Sequence, residues 1–222
     1  MINTKINGKK LFSRAISIYN QRNYQKYSAG YQLLIEAANI GFVMAHEWLG
    51  AIYDYGLGVK SNQKKSFYHY MIGAKADNAN CQYHVGIFYE MGRGIKKSHR
   101  KAIYWLQKAA QSNDSQAMYI LGTWHRDGKG FKKNQNKGFR YYLKSAKLGC
   151  LDAQFSTGYC YSNGIGVKNN FNQAFKWYLM AAKRGDADAA HNLSYFYKIG
   201  KGVNKNMKRS REWAERAKLY DK

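Results

Sequence analysis

Five Gly-x-Gly pairs are the first residues in this chain whose type and spacing suggest chemistry: Gly56/Gly58, Gly92/Gly94, Gly128/Gly130, Gly164/Gly166 and Gly200/Gly202. Glycine-rich loops cradle phosphates when a strand precedes them and a fuller fingerprint surrounds them. Neither feature is present, so the pairs are read as turns. The six histidines, His46, His69, His84, His99, His125 and His191, form no pair at metal-ligand spacing in sequence, with one another or with cysteine. No Ser/His/Asp or Cys/His pattern sits where a neighbour would activate a nucleophile. The 13 acidic residues are too scattered to nominate an acid/base pair. The chain therefore reads as non-catalytic, with no cofactor, no metal site and no small-molecule substrate.

The glycine pairs recur every 36 residues without insertion or deletion, and a fixed period of that size marks a solenoid. Other positions keep the same period. A small residue stands eleven before the first glycine (Ala45, Cys81, Ala117, Ala153, Ala189) and another six before it (Gly50, Gly86, Gly122, Gly158, Ser194). An aromatic or histidine stands three before it: Tyr53, Tyr89, His125, Tyr161, Tyr197. Between the glycines and the next apolar run come Asn62, Ser98, Asn134, Asn170 and Asn206. Their side-chain oxygens suit helix N-caps. Ala74, Ala110, Ala146 and Ala182 close the second run in four units, and Lys218 takes that place in the last. Each unit thus reads as helix A, a glycine turn that tucks one apolar residue into the core (Val59, Ile95, Phe131, Val167, Val203), and helix B. Helix B carries aromatics such as Trp105, Tyr142 and Trp177, read mainly as packing between repeats. The absence of proline suits a nearly all-helical chain.

These residues resemble the Sel-one-like repeat family, relatives of the tetratricopeptide repeats. The match is plain in Ala117, Leu121-Gly122, Gly128, Gly130, Lys137, Tyr141, Ala146 and Gly149, and returns in the other units. The resemblance implies an all-α solenoid, a right-handed superhelix of helix-turn-helix repeats, and a role in protein–protein interaction. The units fall at 43–78, 79–114, 115–150, 151–186 and 187–222. Residues 9–41 form a degenerate N-terminal capping unit with helices near Leu11–Tyr19 and Tyr27–Asn39. The polar residues 1–8 are expected to fray. Helix B is expected to run to Asp77, Asn113, Gly149, Gly185 and Asp221. The whole is read as one solenoid domain with no linker.

The resemblance further implies that helix A lines a concave groove through its second, fifth, ninth, twelfth and thirteenth unit positions. The partner-binding residues carried over this way include Tyr55, Tyr83, Glu90, Tyr119, Arg126, Phe155, Tyr159, His191 and Tyr195. Tyr83, Tyr119 and Phe155 occupy an aromatic position of the family itself, so they are read equally as repeat architecture or as recognition. These positions hold six acids (Glu47, Asp54, Glu90, Asp127, Asp152, Asp188) against two bases (Arg126, Lys198). The chain as a whole is strongly basic: 37 Lys and Arg against 13 Asp and Glu give a net charge of +24. Such an excess bears on partners rather than on fold. Lys60, Lys96, Lys132 and Lys168 share one repeat position after the turn, and Lys97, Lys133 and Lys205 flank it.

Two functions follow. The first is an interaction scaffold or adaptor that holds a peptide or partner protein, an acidic one among the options, in an aromatic groove. The resembling bacterial proteins include secreted effectors and immunity proteins. The alternative is a lysine edge that binds nucleic acid or an anionic membrane or protein surface. No nucleic-acid motif is present. The N-terminus lacks the apolar core of a signal peptide and no run reaches the roughly 18 apolar residues of a membrane span. Three cysteines at unrelated repeat positions, Cys81, Cys150 and Cys160, are read as free thiols, unlike the branch of the family with a cysteine pair in each repeat. A cytoplasmic location is expected, with delivery into a host cell an option.

Overall fold

The computed structural model describes the backbone of residues 2–220 and the side chains of 7–23 and 25–220. Twelve α-helices and one 3-10 turn (Tyr24–Lys26) account for the described residues, and no strand occurs among them. The first compact unit, Met1–Ser112, contains α1 (Ile2–Asn20), α2 (Tyr27–Asn39), α3 (Val43–Tyr55), α4 (Gln63–Lys75), α5 (Ala79–Met91) and α6 (His99–Gln111). The second, Asn113–Lys222, contains α7 (Ser115–Asp127), α8 (Gln135–Lys147), α9 (Leu151–Asn163), α10 (Phe171–Ala182), α11 (Ala187–Ile199) and α12 (Met207–Tyr220). Within each unit every helix packs against the next in sequence.

The repeat turn is built the same way five times. Gly56, Gly92, Gly128, Gly164 and Gly200 take φ values of 70–81°, a left-handed conformation that stops helix A. The chain then returns, and the N–H of the next helix's cap residue donates to the carbonyl three before that glycine. These bonds are Asn62 to Tyr53 (2.8 Å), Ser98 to Tyr89 (2.9 Å), Asn134 to His125 (2.7 Å), Asn170 to Tyr161 (2.9 Å) and Asn206 to Tyr197 (2.8 Å). Each cap side chain accepts in turn from the backbone N–H three residues on, as predicted from its position. The tucked residues Val59, Ile95, Val167 and Val203 join the cores, and Phe131 stacks on His125 at 3.9 Å.

The periodic small residues let the two helices of a repeat approach. Tyr70, Tyr142 and Tyr178 on the B helices are fully buried. Their rings lie where a Cβ on Gly50, Gly122 or Gly158 would stand, at 2.7–2.9 Å. Ala45, Cys81, Ala117, Ala153 and Ala189 are fully buried, and Ala74, Ala110, Ala146 and Ala182 are buried too.

Two expectations need correction. Residues 2–8 are helical: α1 starts at Ile2, well before Leu11, and the buried Gly8 lies against Phe42. The B helices stop two or three residues short of the expected ends, at Lys75, Gln111, Lys147 and Ala182. Asp77, Asn113, Gly149 and Gly185 stand at φ 59–92° and reverse the chain instead. The expected end at Asp221 lies outside the described residues. The first unit is closed by α1 and α2, where Tyr19 and Tyr27 pack with ring centroids 4.5 Å apart. Each hydroxyl donates to the other's backbone carbonyl, at 3.3 and 3.5 Å.

Candidate partner-binding site

The A helices expose a consistent face. In the first unit α3 and α5 leave Met44, Tyr55 and Met91 exposed, Tyr55 at 69% and Met91 at 64%. In the second unit α9 and α11 expose Tyr159 (44%), Tyr195 (51%) and Ile199 (48%). Tyr159 and Tyr195 are both ninth in their repeats. Phe155 is half-buried between Tyr159 and the core, its ring centroid 6.4 Å from that of Tyr159 and 5.8 Å from that of Tyr178. His191 is exposed. Tyr83 and Tyr119 are half-buried, and Tyr119 packs 5.7 Å from the buried Tyr142. Burial pushes the Tyr119 hydroxyl pKa up, with Asp152 adding to the shift.

The acids at the twelfth position do not simply line this face. Asp54 is buried and bonded to Arg93 of the next repeat. Glu90 is half-buried, with Oε2 2.6 Å from His99 Nδ1. Arg126 is held in a fork by its neighbour Asp127, Nε and Nη2 donating at 2.7 and 2.9 Å, and its guanidinium lies over the Tyr142 ring. Glu47, Asp152 and Asp188 remain without an ion-pair partner among the described residues. Lys60, Lys96, Lys97, Lys132, Lys133, Lys168 and Lys205 are all exposed.

Sequence spacing missed a pair that the fold creates. His46 on α3 and His69 on α4 meet with their Nδ1 atoms 3.0 Å apart. His69 stacks on Tyr53 at 5.6 Å, and Tyr53 exchanges a 2.6 Å hydroxyl contact with Tyr31. Burial pushes the His69 pKa down to about 4, helped by His46 and Lys65, and lowers that of His46. No group of three or more metal-ligating side chains occurs among the described residues. His125 stacks between Phe131 and Tyr141, and neither ring nitrogen has a hydrogen-bond partner among the described residues. It serves as the core aromatic that its repeat position predicts. The three cysteines are free and buried. Burial raises the Cys81 thiol to about 12 and the Cys160 thiol to about 11, far from the range of a reactive thiolate. No described helix is long and apolar enough to cross a membrane.

A family model described as the Sel1 repeat matches residues 43–78, 79–114, 115–150, 151–186 and 187–218. Among solved structures, a Sel1 repeat protein from Oxalobacter formigenes is similar at 28% identity and a TM-score of 0.86. The match covers 95% of this chain and 85% of that one. The protective antigen c5321 of uropathogenic Escherichia coli, which displays an SLR fold, matches at 24% identity and a TM-score of 0.85 over 96% of this chain. This chain spans 46% of that protein's length. The immunity protein Pa5087 of Pseudomonas aeruginosa shares the fold at 18% identity and a TM-score of 0.60, over 96% of this chain and 82% of that one. No curated protein matches the sequence.

Proposed function

We propose that this chain, which belongs to the Sel1 repeat family, is a non-catalytic scaffold that holds a peptide or partner-protein segment on the exposed faces of its A helices. Sel1 repeat proteins are generally protein-interaction scaffolds. One observation carries the finer reading. Large apolar side chains, Tyr55, Met91, Tyr159, Tyr195 and Ile199, stand exposed at the ninth and thirteenth repeat positions. Interface energy concentrates in such aromatic anchors. An adaptor or an immunity protein would use such a face in the same way, and the net charge of +24 favours an acidic partner.

The test compares two variants against one partner recovered by affinity capture in the presence of nuclease. Replacing Tyr159 and Tyr195 with Ala is expected to weaken binding by about 1–2 kcal/mol or more per residue, at unchanged helicity. Changing Lys60, Lys96, Lys132 and Lys168 together to Gln is expected to alter association rate and salt response while leaving affinity nearly intact. The reverse pattern would assign binding to the lysine edge and to an anionic surface. A partner released by nuclease would do the same for nucleic acid.

A further inference from the structure

The first unit holds a pocket of about 250 Å³ between α3 and α5, lined by Glu47, Trp48, Tyr55, Tyr70, Asn80 and His84. It is smaller than the roughly 300–1,000 Å³ of sites for drug-sized ligands, and suits a single side chain. Its chemistry is unusual in this chain. The Glu47 carboxylate is half-buried and makes no ion pair among the described residues, although the protein carries 37 lysines and arginines. The nearest comparable acids are satisfied: Asp54 by Arg93, and Glu90 by His99. Among the described residues Glu47 receives neutral donors, Asn78 Nδ2 on Oε2 and Asn80 Nδ2 on Oε1, both at 2.8 Å. Two carboxylate oxygens offer about four acceptor sites, so capacity remains.

The carboxylate is also held in place. Asn78 is fixed from its other side, because its Oδ1 caps α5 by accepting from the Cys81 N–H at 2.8 Å. Trp48 and Tyr55 line the pocket with an indole and a phenol, ring types that attract cations. His84 lies flat on Tyr70, 4.4 Å between centroids and 12° between planes. Burial favours its neutral form against the pull of Asp54 and Glu47, so it adds no charge that would repel a cation.

We propose that this pocket seats one lysine or arginine side chain of the partner segment, its cation on the Glu47 carboxylate and its stem against Trp48 and Tyr55. The inference rests on the reading of the A-helix face as a peptide-binding surface, and specifies what that surface recognises. Charge complementarity narrows it further. A field of +24 repels polycations, so the segment carries a single basic anchor within a neutral or acidic stretch. Met44, Tyr55 and Met91, exposed on the same two helices, provide apolar ground for the residues flanking the anchor.

The experiment selects a displayed library of random peptides on the full chain. Synthetic copies of the winners are then measured with wild-type protein, Glu47→Gln and Tyr55→Ala. The expected winners share one lysine or arginine. Replacing it with norleucine or citrulline weakens binding about tenfold or more, and Glu47→Gln causes the same loss with no further loss when the two changes are combined. Circular dichroism checks that Glu47→Gln is folded, and Tyr55→Ala, which removes an exposed side chain from the pocket wall, is expected to give a loss of its own. Winners without a basic anchor, or insensitivity to norleucine, citrulline and Glu47→Gln, would overturn the inference. If such peptides still lost affinity with Tyr55→Ala, the peptide-face reading would survive it. Spermidine or free arginine competing at the affinity of the best peptide would also overturn it, by making the pocket a site for small amines. A selection that enriches no peptide at all would remove both readings.

Discussion

Replacing Gly166 with Ala is the sharpest test of how neighbouring repeats are joined. Gly166 is the second glycine of its turn, at φ 67°, and sits on the start of α8 in the preceding repeat. A Cβ there would run into the Gln135 carbonyl group and stand 2.9 Å from the Asn136 nitrogen, both backbone atoms that cannot swing aside. Three terms set the cost. The left-handed conformation costs a non-glycine residue about 1–2 kcal/mol. Forcing the two backbones apart adds about 1–3 kcal/mol, as in overpacked cores. The stiffer unfolded chain returns about 0.4–1 kcal/mol. The net expectation is a loss of about 2–4 kcal/mol. Gly185 is the control: it stands at φ 92° with nothing within 4 Å of an added Cβ. Gly185→Ala keeps the strain and the entropy return but no collision, for a net loss of about 1 kcal/mol or less. At about 2–4 °C per kcal/mol for a chain of this length, thermal unfolding followed by circular dichroism separates the two readily. Equal shifts for the two variants would refute the argument, because strain alone would then account for both.

His125→Phe is expected to stabilise the protein by about 1 kcal/mol, since it keeps the stack on Phe131 and Tyr141 and removes two buried nitrogens without partners; urea unfolding measures it, and a loss would show that a nitrogen does bond. Because His69 titrates at about 4 when folded and 6.5 when unfolded, its unfolded form binds the proton first, so stability is intact above pH 6.5 and declines as pH falls from 6.5 toward 4, by at most about 3 kcal/mol. His69→Phe, which keeps the ring on Tyr53, is expected to flatten the profile of unfolding midpoint against pH over that interval.

Much of the fold was legible because the period repeats every structural device. A cap residue such as Asn134 or a stop such as Gly128 is a local signal, and five co-registered copies leave little doubt about its meaning. The starts of α3, α5, α7, α9 and α11 follow directly. The misses arise where one residue's role depends on a partner far away in sequence. Residues 2–8 look like a polar tail, yet Gly8 meets Phe42 and the helix continues to Ile2. Asp54 and Glu90 hold an exposed position in a projected helical wheel, but their partners Arg93 and His99 draw them inward. The Asp54–Arg93 separation is one period plus three residues, a spacing that a search between neighbouring repeats would have found. His46 and His69 lie 23 residues apart on facing helices, and their meeting depends on the rotation of α3 against α4, which no local pattern encodes. The pocket around Glu47 eluded the sequence for the same reason: Asn80 comes from the following repeat and Asn78 from the far end of its own, 33 and 31 residues away.

The seat under the second glycine of four turns has a direction. Gly94 rests on Gln63 and Lys64, Gly166 on Gln135 and Asn136, and Gly202 on Phe171 and Asn172, always at the start of a helix that precedes it in the chain. Gly58, in the first full repeat, rests instead on the Tyr27 side chain supplied by α2. During translation, therefore, each of these turns leaves the ribosome after its seat has been made. At about 5–20 residues per second a 36-residue repeat takes a few seconds to appear. A helix and its turn settle in microseconds, long before the next repeat emerges. Growth at the C-terminal end adds repeats to finished ground, and shortening there leaves every earlier seat intact. Shortening from the N-terminal end removes the seat of the first turn that remains.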